Sequence, residues 1–316
     1  MSFLSRKNRV LISTTLTTSA MVWMFLLLRD SLDRLEVPIY LMNPADLVLS
    51  VFLLMVTAII VSYVYFLLLG RVVPGTLPAM YVIAPYLTSQ VVRYLPGKIW
   101  GVFYQVQAMS KLVHTGDTVK ANIEQFALTN MNSIAVAACV YMYYGGMIGT
   151  ALTVFAVAMT IMFLFIRSSF LRLTISIFSR STSSIKESFV AKKCKRKNAL
   201  IFSLIQVEWI IYILACALLL PDNYYLNEVI IVSAIYAVAT LIGGILLIIP
   251  SGIVVREASF IWLSSFLGFN VVDMFTFSIV FRIVDMVAET MCAFFCILFV
   301  GREGSNVNST GSLEAD

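Results

Sequence analysis

The sequence predicts an all-α polytopic membrane helical bundle, built as two inverted repeats, each of three spans plus one re-entrant hairpin. Three observations carry this expectation. Of 316 residues, 60% are hydrophobic and only 12% charged, and the mean hydropathy is +0.93, far from the mixture of a water-soluble domain. Apolar runs at 10–28, 47–69, 121–143, 147–166, 199–220 and 271–300 have the roughly 20 residues needed to cross a bilayer core of about 30 Å. Two further apolar regions, 77–113 and 229–268, are each divided by a short break that contains Pro and Gly.

Taken in order, run 10–28 follows Arg6, Lys7 and Arg9 and lacks a small-residue cleavage site, so it is expected to be a retained span rather than a removed signal peptide. Segment 29–46 carries two basic and four acidic residues and belongs on the outer face, because cytoplasmic loops keep the positive charge. Run 47–69 returns inward. Region 77–113 is interrupted by "LPGK" at 95–98, where proline removes a backbone donor and glycine loosens the helix. The piece after the break is too short for a full crossing, so the region reads as a re-entrant hairpin with both ends inside; two tilted full spans are the alternative. Run 121–143 closes the first repeat, residues 1–143.

The second repeat, residues 144–300, follows the same order. Run 147–166 leads to a segment, 167–198, with nine basic residues and one acid, Glu187, which is therefore cytoplasmic. Topology explains this charge without a bound anionic lipid. Run 199–220 ends at "PDNYYLNE" (221–228), with two acids and no base, an outer loop. Region 229–268 breaks at "IPSG" (249–252) and forms the second hairpin, with ends outside. Run 271–300 completes the repeat, and 301–316 reads as a disordered polar tail. Three spans per half is an odd number, so the second half runs upside down relative to the first, the plan of transporters whose sites lie among broken helices at the midplane. Both termini are then cytoplasmic.

Several classes lose support. The net charge of +5 reflects the loop asymmetry, and no nucleic-acid signature accompanies it. Cys139, Cys194, Cys216, Cys292 and Cys296 offer no extracellular pair and read as small buried hydrophobes. His114 is the single histidine, so no metal site or other cofactor is expected. Tyr141, Tyr143, Tyr144, Tyr224 and Tyr225 fit an interfacial belt. Gly145, Gly146, Gly149, Gly243 and Gly244 read as close-packing positions rather than a phosphate loop.

The chemistry concentrates at the breaks. Non-helical backbone inside a membrane is tolerated only when it is buried in protein or lines a wet cavity. Hairpins entering from opposite faces bring their tips together, and half-helices starting near Ile99 and Ile253 direct free N–H groups into that space. Pro96, Gly97, Pro250 and Gly252 shape the two tips; Lys98 stands at one, Arg93 just before it, and Arg256 on the first turn beyond the other. These groups attract anions, so the implied ligand is a phosphate or another acidic head group. Glu257 follows Arg256, and Arg282, Asp285 and Glu289 fall at i, i+3 and i+7 on one helix face. Glu208, deep in its span with only Gln206 as polar company, is expected to face an Arg or Lys, with protonation through desolvation as the alternative. An ion-pair network that merely locks the bundle competes with a functional role for Arg282, Asp285 and Glu208. Glu124 and Lys120 read as ordinary boundary charges.

"YLPGKIWG", then "IIPSGIVVREASFIWL", then "FRIVD" resemble the flippase-like membrane domain of lysylphosphatidylglycerol synthases and the related stand-alone transmembrane proteins. The matching positions are Pro96 and Gly97, then Pro250, Gly252, Arg256 and Glu257, then Arg282. Many members carry a Glu-Arg pair and an Asp after the first hairpin; here "FALTNMNS" offers Asn130 and Asn132 instead, so charge pairing on that side differs. The resemblance implies a lipid flippase of the bacterial cytoplasmic membrane and no lysyl transfer, which belongs to a separate soluble domain. It also implies an anionic lipid or polyprenyl-phosphate-linked sugar as substrate, and partners in envelope-glycan synthesis. Read from the residues alone, further classes stay open. One is a membrane enzyme on a lipid phosphate with Glu257, Asp285 or His114 as base or nucleophile. Another is an ion-coupled solute transporter using Glu208, Asp285 and Glu289, and a third is a scaffold for glycan assembly.

Overall fold

The computed structural model describes residues 43–73, 77–95, 100–144, 146–167, 190–245 and 253–310. The first expected span, the expected tip residues Pro96, Gly97, Lys98, Pro250 and Gly252, and most of the basic segment 167–198 lie outside the described residues. Every regular element among the described residues is a helix: α1 (Pro44–Val72), α2 (Met80–Val92), α3 (Trp100–Met109), α4 (Thr115–Tyr144), α5 (Ile148–Arg167), α6 (Val190–Leu219), α7 (Leu226–Ile245), α8 (Ile253–Phe266) and α9 (Val271–Thr310). Pro44–Val72, Lys197–Leu219 and Leu226–Gly243 are long and apolar enough to cross a membrane.

Local chemistry sets the helix ends. The Asn43 side chain accepts from the Ala45 N–H at 3.1 Å, and Pro44 opens α1, where a missing N–H costs nothing. At 29 residues, α1 is about 44 Å long, more than the hydrocarbon core requires. By contrast α2, α3 and α8 have 13, 10 and 14 residues, roughly 15–21 Å each. Gly146 (φ 74°) and Gly268 (φ 83°) close α4 and α8. In each case the following N–H reaches back five residues, Met147 to Met142 and Phe269 to Ser264, the left-handed helix stop that glycine favours. Gly146 is thus a terminator and not a packing position, as is clear also from the space around it. A Cβ on Gly146 or Gly149 would meet nothing within 4 Å, which corrects the sequence expectation for both.

Helices α2 and α3, on either side of the first Pro/Gly break, pack on each other, as do α7 and α8 on either side of the second. Around them α1 packs against α6, α2 against α9, and α7 against α4. The largest core lies among α1, α6, α7, α8 and α9, where Tyr236 meets the rings of Phe260, Phe277 and Phe281 at 5.2, 5.8 and 4.8 Å. A second core joins α1, α4, α5 and α6 through Leu68, Leu128, Met162 and Ile205, and a third ties α1 and α2 to α3 and α4 through Tyr65, Tyr86, Met109 and Ala121. Because lipid tails are as apolar as these side chains, close packing and polar contacts hold such helices together.

Two boundaries differ from expectation. Helix α6 starts at Val190, inside the basic segment, and α9 continues to Thr310, through residues expected to be a disordered tail from 301. Extending an existing helix fixes one residue per added hydrogen bond, so apolar content marks where a helix can be buried and not where it ends.

Candidate functional site

Arg93 follows the last residue of α2, with its N–H on the Ser89 carbonyl at 3.0 Å, and a cation there complements the helix C-terminus. The returning arm approaches closely at Gly101, where a Cβ would lie 2.9 Å from the Ser89 carbonyl oxygen and 3.4 Å from Arg93 Cβ. Glycine at this point lets α3 run against α2 and fixes where Arg93 emerges. Its guanidinium Nη2 donates to Glu289 Oε1 at 2.5 Å, and it lies over the Tyr94 ring at 5.6 Å. The Arg93 side chain is 47% exposed while that of Glu289 is 9% exposed. The arginine therefore turns one edge to a covered carboxylate and keeps part of its side chain accessible.

From the second hairpin, Arg256 lies over the Tyr236 ring at 5.2 Å. Its electrostatic neighbours are Tyr236, Tyr94, Asp285 and Glu257. Arg282 is 3% exposed and donates from Nη1 to Glu257 Oε1 at 2.7 Å. Asp285, one turn before Glu289 on α9, interacts with both Arg93 and Arg256. The structure therefore brings together Arg93, Arg256, Glu257, Arg282, Asp285 and Glu289, contributed by the end of α2, the start of α8 and the middle of α9. Arg256 Nε, Arg282 Nη2, Glu289 Oε2 and the Tyr236 hydroxyl are buried with no hydrogen-bond partner among the described residues.

Two expectations change. Sequence alone presents the tips as a set of anion-attracting cations; among the described residues Arg93 pairs with Glu289 and Arg282 with Glu257, and Asp285 is an electrostatic neighbour of Arg93 and Arg256. Buried ions survive only with such compensation. Glu208 does not face an Arg or Lys among the described residues: it is enclosed by burial, and Tyr86 counts it among its electrostatic neighbours. The reason is geometric: α6 packs chiefly on α1, α7 and α5, whereas the arginines sit on α8, α9 and the end of α2.

The first half holds a polar network that the sequence did not flag. Asn122 donates to Gln105 Oε1 at 2.7 Å and to the Tyr65 hydroxyl at 3.3 Å, and Gln105 donates to Ser89 Oγ at 2.5 Å. Glu124 is no boundary charge. It is buried and accepts from Arg71 Nη1 at 2.8 Å. Lone amides within apolar runs, Gln105 and Asn122, were the available signal, since such groups need partners in a membrane. His114 Nδ1 accepts the Gly116 N–H at 3.2 Å at the start of α4, a capping role. Asn132 accepts from Gln206 at 3.4 Å, and Asn130 turns to the Phe126 carbonyl at 2.6 Å.

Compared with protein-family models and with curated proteins, the chain gives no match to either.

Proposed function

We propose that the chain is an integral membrane, flippase-like protein that binds an anionic, phosphate-bearing lipid or polyprenyl-phosphate-sugar head group between the tips of two re-entrant hairpins. The observation that carries this reading is the Arg93–Glu289 pair, which sits beside Asp285, an electrostatic neighbour of both Arg93 and Arg256, the two arginines that flank the Pro/Gly breaks. Buried guanidinium N–H groups without a partner, on Arg256 and Arg282, supply the fork of donors that phosphate oxygens match. Tails would stay in the lipid while the head group occupies the space that Arg93 lines.

The inverted-repeat reading draws support from how the helices pair. If α1, α2, α3 and α4 correspond to α6, α7, α8 and α9, then α2 on α9 has its counterpart in α7 on α4. Likewise α1 on α2 matches α6 on α7, and α3 on α4 matches α8 on α9; all of these pairs pack. A two-fold exchange of halves also makes α1 on α6 its own counterpart. The short arms α3 and α8 suit re-entrant hairpins better than full crossings. The resemblance of "YLPGKIWG", "IIPSGIVVREASFIWL" and "FRIVD" to flippase-like domains points the same way. We place the protein in the bacterial cytoplasmic membrane with both termini inside, in envelope lipid or glycan biogenesis.

The test is transbilayer movement of labelled anionic lipid in liposomes containing the purified wild type, Lys98→Ala or Arg256→Ala. Movement above that of protein-free vesicles, reduced at least tenfold in the variants, is expected. Movement equal in all samples would remove the basis for a translocase.

A further inference from the structure

We propose that Glu289 is an internal stand-in for the anionic ligand: the ligand's phosphate displaces its carboxylate from Arg93, and the freed carboxylate takes up a proton from solution. Anion binding and proton binding are thereby coupled. This inference rests on the anion site proposed above and adds the coupling ion to it.

Charge balance is the first ground. Arg93, Arg256 and Arg282 are matched by Glu257, Asp285 and Glu289, so an added anion leaves the cluster short by one positive charge. Uncompensated charge in such surroundings is strongly disfavoured, and a proton restores the balance without moving a helix. Geometry selects Glu289. Glu257 is held by Arg282 at 2.7 Å, and Asp285 lies between two arginines. Glu289 has one hydrogen-bonded cation, Arg93, and its other polar neighbour is the uncharged Tyr94 phenol. The Arg93 side chain keeps 47% of its surface accessible beside the Glu289 contact, so an oxyanion can reach it before the carboxylate leaves. The unpartnered Arg256 Nε and Arg282 Nη2 await the oxygens that Glu289 cannot reach.

The groups facing Glu289 are consistent with this choice. From its own helix these are Asp285 and Cys292, with Arg282 further along the same face. From α2 and the residues after it, they are Tyr86, Arg93 and Tyr94. Helix α8 contributes Arg256, with Glu257 already engaged. On α6, Glu208 and Tyr212 reach it only through Tyr86 and Asp285. Helix α1 offers the Met55 carbonyl, on Cys292, and no titratable group. Lys98 lies outside the described residues. Because Asp285 and Glu289 are a turn apart, the proton belongs to the pair, with Glu289 its main site once Arg93 is taken.

The experiment uses the full chain in zwitterionic nanodiscs and a short-chain phosphatidylglycerol as probe. Calorimetric titration at pH 7 is run in two buffers that differ in ionisation enthalpy. Wild-type protein is expected to take up about one proton per probe bound, with affinity falling as pH rises, by up to about tenfold per unit. Glu289→Gln is expected to bind the probe with neither proton uptake nor pH dependence. Wild-type binding without proton uptake overturns this inference alone, because it means that another cation, such as Lys98, balances the charge. Absence of binding at every pH overturns the anion site and the coupling with it. Should Glu289→Gln fail to fold, the two-buffer measurement on wild type decides the matter.

Discussion

Arg93 and Glu289, 196 positions apart, meet at 2.5 Å through Nη2 and Oε1. The contact ties the break of the first hairpin to the middle of α9, and so joins the two halves of the chain at the place where backbone leaves the helix. A buried carboxylate is retained only with a partner, and Arg93 supplies it while keeping part of its own side chain accessible.

The Arg282–Glu257 pair at 2.7 Å, with Arg282 3% exposed, is the structural anchor of α8 on α9. Arg282→Ala leaves a part-buried carboxylate without its partner and is expected to cost about 1.5–3 kcal/mol, while Arg282→Met combined with Glu257→Gln recovers most of the loss. Thermal unfolding in detergent reads both. A double variant as unstable as the single one would mean that packing, not the pair, holds the helices.

Gly101 is needed for the close approach of α3 to α2. A side chain there must push against the Ser89 carbonyl at 2.9 Å, so Gly101→Val is expected to destabilise by about 1–3 kcal/mol and to weaken probe binding by shifting Arg93. Gly149→Ala, with nothing within 4 Å, is expected to stay within about 0.5 kcal/mol of wild type.

Glu124, buried on Arg71 at 2.8 Å, and Lys120, at 3.8 Å from Asp117 on the surface, look alike in sequence and should behave differently. Glu124→Ala is expected to lower stability by about 3 kcal/mol or more and Lys120→Ala by less than about 0.5 kcal/mol. Equal effects in a denaturation series would contradict the burial assigned to Glu124.

Tyr224, in the 220–225 loop, donates to Asp273 Oδ2 at 2.9 Å, and burial, followed by Asp273, pushes its phenol up to about 12. The fold therefore favours the neutral phenol. Its contribution is complete below about pH 10, the ordinary phenol value, and is lost as pH rises toward 12. Tyr224→Phe is expected to lower stability modestly at pH 8 and to flatten the decline above pH 10, as read by unfolding temperature against pH.

The helical pattern was legible because apolar runs of membrane length and Pro/Gly breaks are local signals. They located the breaks that separate α2 from α3 and α7 from α8. Which charges pair was not legible. The i, i+3, i+7 spacing of Arg282, Asp285 and Glu289 placed them on one face, but the partner of each depends on which helix lies opposite. Glu208 illustrates this: it lies on α6, which packs chiefly on α1, and it faces no Arg or Lys among the described residues. Glu124 illustrates the reverse: a residue near a predicted membrane boundary is buried because Arg71, 53 positions earlier, turns toward it. Glycines misled where a helix end and a packing position use the same residue, as at Gly146.

The most direct measurement is an electron cryomicroscopy map of the full chain in nanodiscs with an anionic lipid bound. Phosphate density within hydrogen-bond distance of both Arg93 and Arg256, with Glu289 turned away from Arg93, is the expected result. A head group lodged elsewhere, with Arg93 still on Glu289, would contradict a shared cradle between the two hairpins.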